Sequence, residues 1–112
     1  EIYTLSLHDA LPISTSLNQL GLFYRAMKQY TPDFLVETAD KKYMIEVKAA
    51  NQTDNEDVME KARAALVWCG YASEVDADDK TWEYRLIPGQ EVLVGNSFKY
   101  TVGRAVSVPD AQ

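Results

Sequence analysis

The chain has 112 residues, 46% of them hydrophobic and 25% charged, with a formal net charge of −6. This length and composition fit one folded domain and exclude a disordered chain, and no apolar run approaches the roughly 18 residues that a membrane span needs. The negative charge argues against free-standing nucleic-acid binding, which depends on clustered Lys and Arg, but it does not exclude a nuclease, because a metal-binding pocket is itself acidic.

Cysteine usage indicates the compartment. Cys69 is the single cysteine, so the chain cannot form an internal disulfide, and it has no Cys and His cluster with the spacing of a zinc site. This pattern is typical of a reducing compartment, and we expect a cytoplasmic location.

The first fourteen residues, EIYTLSLHDALPIS, are unlike the rest of the chain. Codons that spell residues 3–13 resemble a common sequencing-adapter oligonucleotide translated in frame. We therefore predict that residues 1–14 are an adapter-derived artefact and set them aside from the fold. The chain would then be a metagenomic fragment, with one domain over residues 15–105 and a tail over residues 106–112.

Three strands are predicted before the first helix. The segment LGLFYR at residues 20–25 favours a strand, and QYTPDFLVET at residues 29–38 favours a second one. A turn at residues 39–41 then leads into YMIEVK at residues 43–48, which predicts a hairpin.

A helix and a further strand follow the hairpin. Thr53 and Glu56 have capping-box spacing and predict the start of a helix. An apolar stripe at helical period follows them, and we expect the helix to end near Gly70 or within the next few residues; the stripe is formed by Val58, Ala62, Ala65, Leu66 and Cys69. Residues 74–80, EVDADDK, predict a solvated acidic loop. TWEYRLIP at residues 81–88 predicts a strand that Pro88 ends, and the following segment is compatible with two short strands or a frayed helix. This order predicts an α/β domain with a mixed sheet.

Two acids and a lysine interrupt the apolar hairpin. Side chains alternate across a strand, so Glu46 and Lys48 share one face, and hairpin pairing can bring Asp33 beside Glu46. We expect this polar group opposite the core face. Two carboxylates on adjacent strands form a hard oxygen site suited to Mg²⁺, and the lysine can orient a water or offset negative charge. Glu37 is a candidate outer acid. The alternative is an exposed face with a weak ion pair.

These residues carry a resemblance to a known superfamily. Pro32-Asp33, followed after thirteen residues by Glu46-Val47-Lys48 and then by a helix and a strand, resembles the PD-(D/E)XK nucleases. More narrowly, residues 20–105 resemble the C-terminal endonuclease domain of the helicase-nuclease subunit of type III restriction enzymes. The resemblance implies a restriction-endonuclease-like mixed sheet flanked by helices and truncated at its N terminus.

The resemblance also implies an activity. It predicts Mg²⁺-dependent cleavage of double-stranded DNA, with Mn²⁺ as a substitute ion. Asp33 and Glu46 would be metal ligands, the Val47 backbone carbonyl would complete the metal shell, and Lys48 would be the catalytic lysine. The implied partners are a helicase or translocase domain of the same parent chain, which would use ATP, and a methyltransferase subunit.

Two alternatives stay open. One is another PD-(D/E)XK nuclease, either transposase-associated or a repair enzyme. The other is a catalytically inactive nuclease fold that serves as a binding or assembly module, which the acidic charge and the missing first helix of the family favour. The intact Asp33, Glu46 and Lys48 favour an enzyme, although the isolated fragment can be inactive.

Overall fold

The computed structural model describes residues 11–12, 22–24, 28–30, 32–93 and 95–108, with side chains from residue 32 onward. Its strands are β1 (Leu11–Pro12), β2 (Leu22–Tyr24), β3 (Lys28–Tyr30), β4 (Phe34–Glu37), β5 (Lys41–Lys48) and β6 (Thr81–Pro88), and its helices are α1 (Glu56–Val75) and α2 (Phe98–Val102). Within these ranges, neither helix combines the length and apolar character that crossing a membrane requires.

The main sheet has the strand order β1-β4-β5-β6, and β2 and β3 form a separate antiparallel pair. β4 and β5 pair antiparallel, while β5 and β6 pair parallel over eight residues. Helix α1 makes the crossover between these parallel strands, as a parallel connection requires. The predicted α/β class with a mixed sheet flanked by helices is therefore confirmed.

Both faces of the sheet are covered, because strand alternation supplies apolar side chains to each. One cluster packs against α1 and comprises Leu35, Met44, Val58, Ala62, Ala65, Cys69, Tyr84 and Leu86. The other packs on the α2 side and comprises Val36, Ile45, Val47, Ile87 and Phe98. The expectation that the polar group lies opposite the core face was wrong, since the sheet has no bare face for it: Glu46 is on the α1 side and only 6% exposed.

The predicted strand over residues 29–38 is divided in two. β3 ends at Tyr30 and β4 begins at Phe34, with a bend at Asp33 between them. Pro32 is fully buried at this break. Because proline has no N–H to donate to a ladder, it marks the point where one strand stops. The hairpin turn after β4 closes as predicted, with Lys41 N–H donating to Thr38 Oγ1 at 3.1 Å.

Helix α1 differs from its prediction at its start. Asn55, not Thr53, is the N-cap, and its Oδ1 accepts from Asp57 N–H at 2.9 Å. The helix continues a few residues past Gly70 and ends at Val75. Its last turn is attached to β6, because Ser73 Oγ accepts from Trp82 N–H at 2.8 Å.

The segment after β6 contains one short helix and a return to the sheet. Ser97 caps α2, with its Oγ accepting from Tyr100 N–H at 3.1 Å. Val106 N–H then donates to the Leu86 carbonyl at 2.7 Å, and Val106 and Val108 pack against the α1-side core. Residues 106–108 of the predicted tail therefore bind the sheet.

Candidate active site

Asp33 lies in the bend before β4, next to the buried Pro32. Its N–H donates to the Ile45 carbonyl at 3.1 Å, and its Oδ2 accepts from Val47 N–H at 2.9 Å. The carboxylate therefore accepts the Val47 N–H that the backbone carbonyl of a further strand residue would otherwise accept. One carboxylate oxygen is oriented by the backbone, while the residue as a whole is exposed.

Glu46 lies on β5 one residue before Val47, whose N–H binds Asp33. The β4–β5 register pairs Leu35 with Met44 and ends with Phe34 and Ile45. The bend at Asp33 interrupts the regular pairing there, since Asp33 N–H donates to the Ile45 carbonyl. Glu46 is 6% exposed, so one acid of the pair is buried and the other is open to solvent.

Lys48 ends β5 two residues after Glu46, on the same face and beside Pro88 of β6. Its side chain is half-buried, and its ammonium forms no hydrogen bond or ion pair within the part of the chain that the structure describes. The structure thus places Asp33, Glu46 and Lys48 at the same end of β5. Val47 belongs to it through its backbone, because its side chain packs on the α2 side.

The donor set fits a hard divalent cation. Carboxylate oxygens are hard donors, and Mg²⁺ is commonly held by one or two carboxylates while it keeps several waters. Among the described residues no group of three or more acidic, histidine or cysteine side chains could hold a metal.

Glu37 does not join this group. Its Oε2 accepts from Lys80 Nζ at 2.7 Å, and the same ammonium donates to the Thr38 carbonyl at 2.9 Å. Four residues of extended strand separate Glu37 from Asp33, which is about 13 Å. Glu37 therefore forms an ion pair that links β4 to the segment before β6.

A second polar cluster was missed by sequence reasoning, which placed Asp76 in a solvated loop. The Asp76 side chain is 4% exposed and accepts from Lys42 Nζ at 2.8 Å, Trp82 Nε1 at 2.9 Å and Lys80 N–H at 3.0 Å. The Lys42 hydrogen bond is the main reason that the pKa of this carboxyl lies well below its usual range. An aspartate directly after a helix and before a turn is the signal that could have indicated this role.

Most cations of the described residues are neutralised within the chain. Carboxylates pair with Lys41, Lys42, Lys61, Arg63, Lys80, Arg85 and Arg104. Little positive charge is left in these regions for DNA phosphates, whose binding depends on unpaired Lys and Arg. We therefore expect weak DNA binding by this chain alone.

Comparison with known families identifies a matching family model. The family model described as TnsA-like endonuclease N terminal matches residues 3–87, which is more than half of the chain and includes Asp33, Glu46 and Lys48. No curated protein and no solved structure matches. The match does not confirm the type III restriction resemblance and agrees better with the transposase-associated alternative. Its range includes most of residues 1–14, whose adapter origin stays a prediction.

Proposed function

The chain belongs to the TnsA-like endonuclease N-terminal family, within the PD-(D/E)XK nuclease superfamily, and we propose that it is the DNA-cleaving domain of a transposase-associated endonuclease. The observation that supports this most is the contact between Val47 N–H and Asp33 Oδ2 at 2.9 Å. It holds one acid of the motif at the strand that carries Glu46 and Lys48.

Asp33 and Glu46 would hold Mg²⁺ or Mn²⁺. The N–H and C=O of one strand residue point toward the same neighbouring strand, so the Val47 carbonyl lies on the Asp33 side of β5 and is a reasonable third donor. When bound, such an ion polarises a phosphate oxygen and lowers the pKa of a water.

The protein residues supply position and charge. Because Val47 N–H engages Asp33 Oδ2, the backbone holds this carboxylate, and its other oxygen is the one that would bind a ligand. Burial restricts the Glu46 side chain to few rotamers. In hydrolysis the water oxygen bonds to phosphorus and one phosphodiester P–O bond breaks. The Lys48 ammonium orients that water and offsets the negative charge that develops on the phosphate.

The proposed function involves different partner molecules from those of a type III restriction enzyme. Double-stranded DNA is the proposed substrate, and the ion-paired cations described above support a role for other proteins in holding it. The family match lends no support to the helicase and methyltransferase partners. The assembly-module alternative differs in one respect that can be tested, since a scaffold does not need to bind a divalent ion.

Two measurements on the 112-residue chain test the proposal. Calorimetry with Mg²⁺ and with Mn²⁺ should show saturable binding that Asp33→Asn removes, and supercoiled plasmid should be nicked only when the ion is present. Absence of both signals would contradict the nuclease function and favour the assembly module. Metal binding without nicking would indicate that DNA binding, and not the metal site, limits cleavage.

A further inference from the structure

Helix α1 carries an apolar stripe on its solvent side. Val67, Tyr71 and Val75 are spaced at i, i+4 and i+8 and are 47%, 69% and 81% exposed. The opposite side of the helix supplies its core contacts through Val58, Ala62, Ala65 and Cys69. A helix that needs only one apolar face for packing normally has polar residues on the other. The fold therefore does not explain this stripe, and contiguous exposed apolar surface is typical of an interaction site.

A groove of about 490 Å³ lies beside the stripe, between the end of α1 and the start of β6. Tyr71 and Val75 line it together with Trp68 and Trp82. The two indole rings meet edge to face, with centroids 5.2 Å apart. The surface thus offers a concave aromatic site in addition to the stripe, and aromatic side chains are enriched at protein interfaces.

The rim of the groove is acidic. Lys42 is the cation among the residues that line the groove. It forms ion pairs with Asp76 at 2.8 Å and with Asp78 at 3.0 Å, which neutralise its charge. Glu74 lines the groove, Asp79 follows the turn after the helix, and both are exposed and form no ion pair among the described residues. An apolar ligand with positive charge at its flanks complements this arrangement, whereas DNA phosphates would be repelled.

The groove is remote from the candidate active site. Lys42 and Lys48 mark the two positions on β5, and six residues of strand separate them, which is about 20 Å. A ligand at Trp82 therefore does not cover Asp33.

We propose that this surface docks a basic amphipathic helix of a partner protein, with its apolar face on Tyr71 and Val75 and its Lys or Arg side chains near Glu74 and Asp79. The stripe spans eight residues of α1, about 12 Å, which matches the two turns over which a packed helix makes contact. Placing a helix in an apolar groove with charged edges is an established mode of recognition. The proposal does not depend on nuclease activity.

Model peptides provide the probe. An 18-residue amphipathic helix of Leu and Lys is compared with a Leu and Glu version and with a scrambled Leu and Lys version that has no apolar face. Both tryptophans of the chain, Trp68 and Trp82, line the groove, so their fluorescence reports occupancy directly. We expect the amphipathic Leu and Lys peptide to bind at least tenfold more tightly than either control peptide.

Substitutions in the stripe and at the rim of the groove test where the peptide binds. Tyr71→Ser and Val75→Asp alter exposed side chains and should each weaken binding by about tenfold or more, as truncation of an interface anchor does. Replacing Glu74 and Asp79 by Lys should weaken it chiefly at low salt. The matched control is Tyr100→Ser, which removes a tyrosine of 49% exposure elsewhere and should leave affinity unchanged.

Four results would overturn the proposal: no binding of the Leu and Lys peptide, equal binding of the Leu and Glu or scrambled peptide, full affinity in Tyr71→Ser and Val75→Asp, or equal loss in Tyr100→Ser. Concentration-dependent dimerisation that Val75→Asp abolishes would assign the surface to a second copy of the chain instead. Metal binding at Asp33, measured in the same samples, reports separately on the nuclease site.

Discussion

The backbone N–H of Val47 donates a 2.9 Å hydrogen bond to Oδ2 of Asp33. This bond joins the two halves of the motif, which lie fourteen residues apart in sequence. It occurs at the point where β4 stops, so the carboxylate rather than the strand backbone satisfies the Val47 amide. The backbone of β5 therefore holds the Asp33 carboxylate in place.

Asp33→Asn removes the negative charge of the side chain and keeps its shape. The amide oxygen of asparagine can still accept from Val47 N–H, so we expect a melting temperature close to that of the wild type. Removing the negative charge should reduce metal-dependent nicking by about a hundredfold or more, which is typical of losing one preorganised charge contact. Plasmid nicking and thermal melting measure the two effects, and Glu37→Gln, which alters an acid of the same hairpin outside the site, is the control. Undiminished nicking by Asp33→Asn would contradict its assignment as a ligand.

Glu46→Gln should remove stabilisation by metal. A ligand that binds only the folded state stabilises it by about 2.7 kcal/mol at a hundred times its dissociation constant. For a chain of this size that raises Tm by roughly 10 °C. We expect Mg²⁺ to produce such an increase in the wild type and none in Glu46→Gln, as measured by differential scanning calorimetry. Equal increases in both proteins would show that the ion binds elsewhere.

Lys48→Ala should impair cleavage without impairing metal binding. The ammonium is proposed to act on the water and on the phosphate, so its loss should lower the nicking rate by about 10²-fold while the metal dissociation constant from calorimetry stays within twofold. Lys61→Ala is the matched control, because Lys61 pairs with Asp57 on the helix surface at 3.6 Å. Parallel loss of nicking and of metal affinity would instead indicate that Lys48 supports the fold of the site.

We expect Asp76 to make the stability of the fold depend on pH in the acidic range. Its pKa is lowered in the folded state, mainly by Lys42, so its contribution to the unfolding free energy is present above the ordinary aspartate value, about 3.9, and is lost as pH falls below it. We expect Asp76→Asn to lower Tm at pH 7 and to flatten the decline of Tm between pH 5 and pH 3. Asp78→Asn, at a side chain 59% exposed, should do neither. A decline as steep in Asp76→Asn as in the wild type would assign the acid sensitivity to other carboxyls.

The hairpin, the crossover helix and the last strand of the sheet could be predicted because local signals and tertiary structure agree there. Strand alternation correctly placed Glu46 and Lys48 on one face. The exact last residue of α1 could not be predicted, since the bond between Ser73 and Trp82 depends on β6 lying beside the end of the helix. Asp76 was misjudged for the same reason: its partner Lys42 is 34 residues away in sequence.

The sequence by itself determined the β4–β5 hairpin, the crossover helix and the strand that follows it, and the spacing of Pro32-Asp33 from Glu46-Val47-Lys48. These depend on side-chain periodicity and on short-range chemistry. Only the tertiary structure decided that Glu46 is buried under α1, that Asp33 is held by the amide of Val47, and that Val67, Tyr71 and Val75 are left exposed. Burial and hydrogen bonding of these groups depend on which elements pack against them, and that packing is established by contacts between residues far apart in the chain.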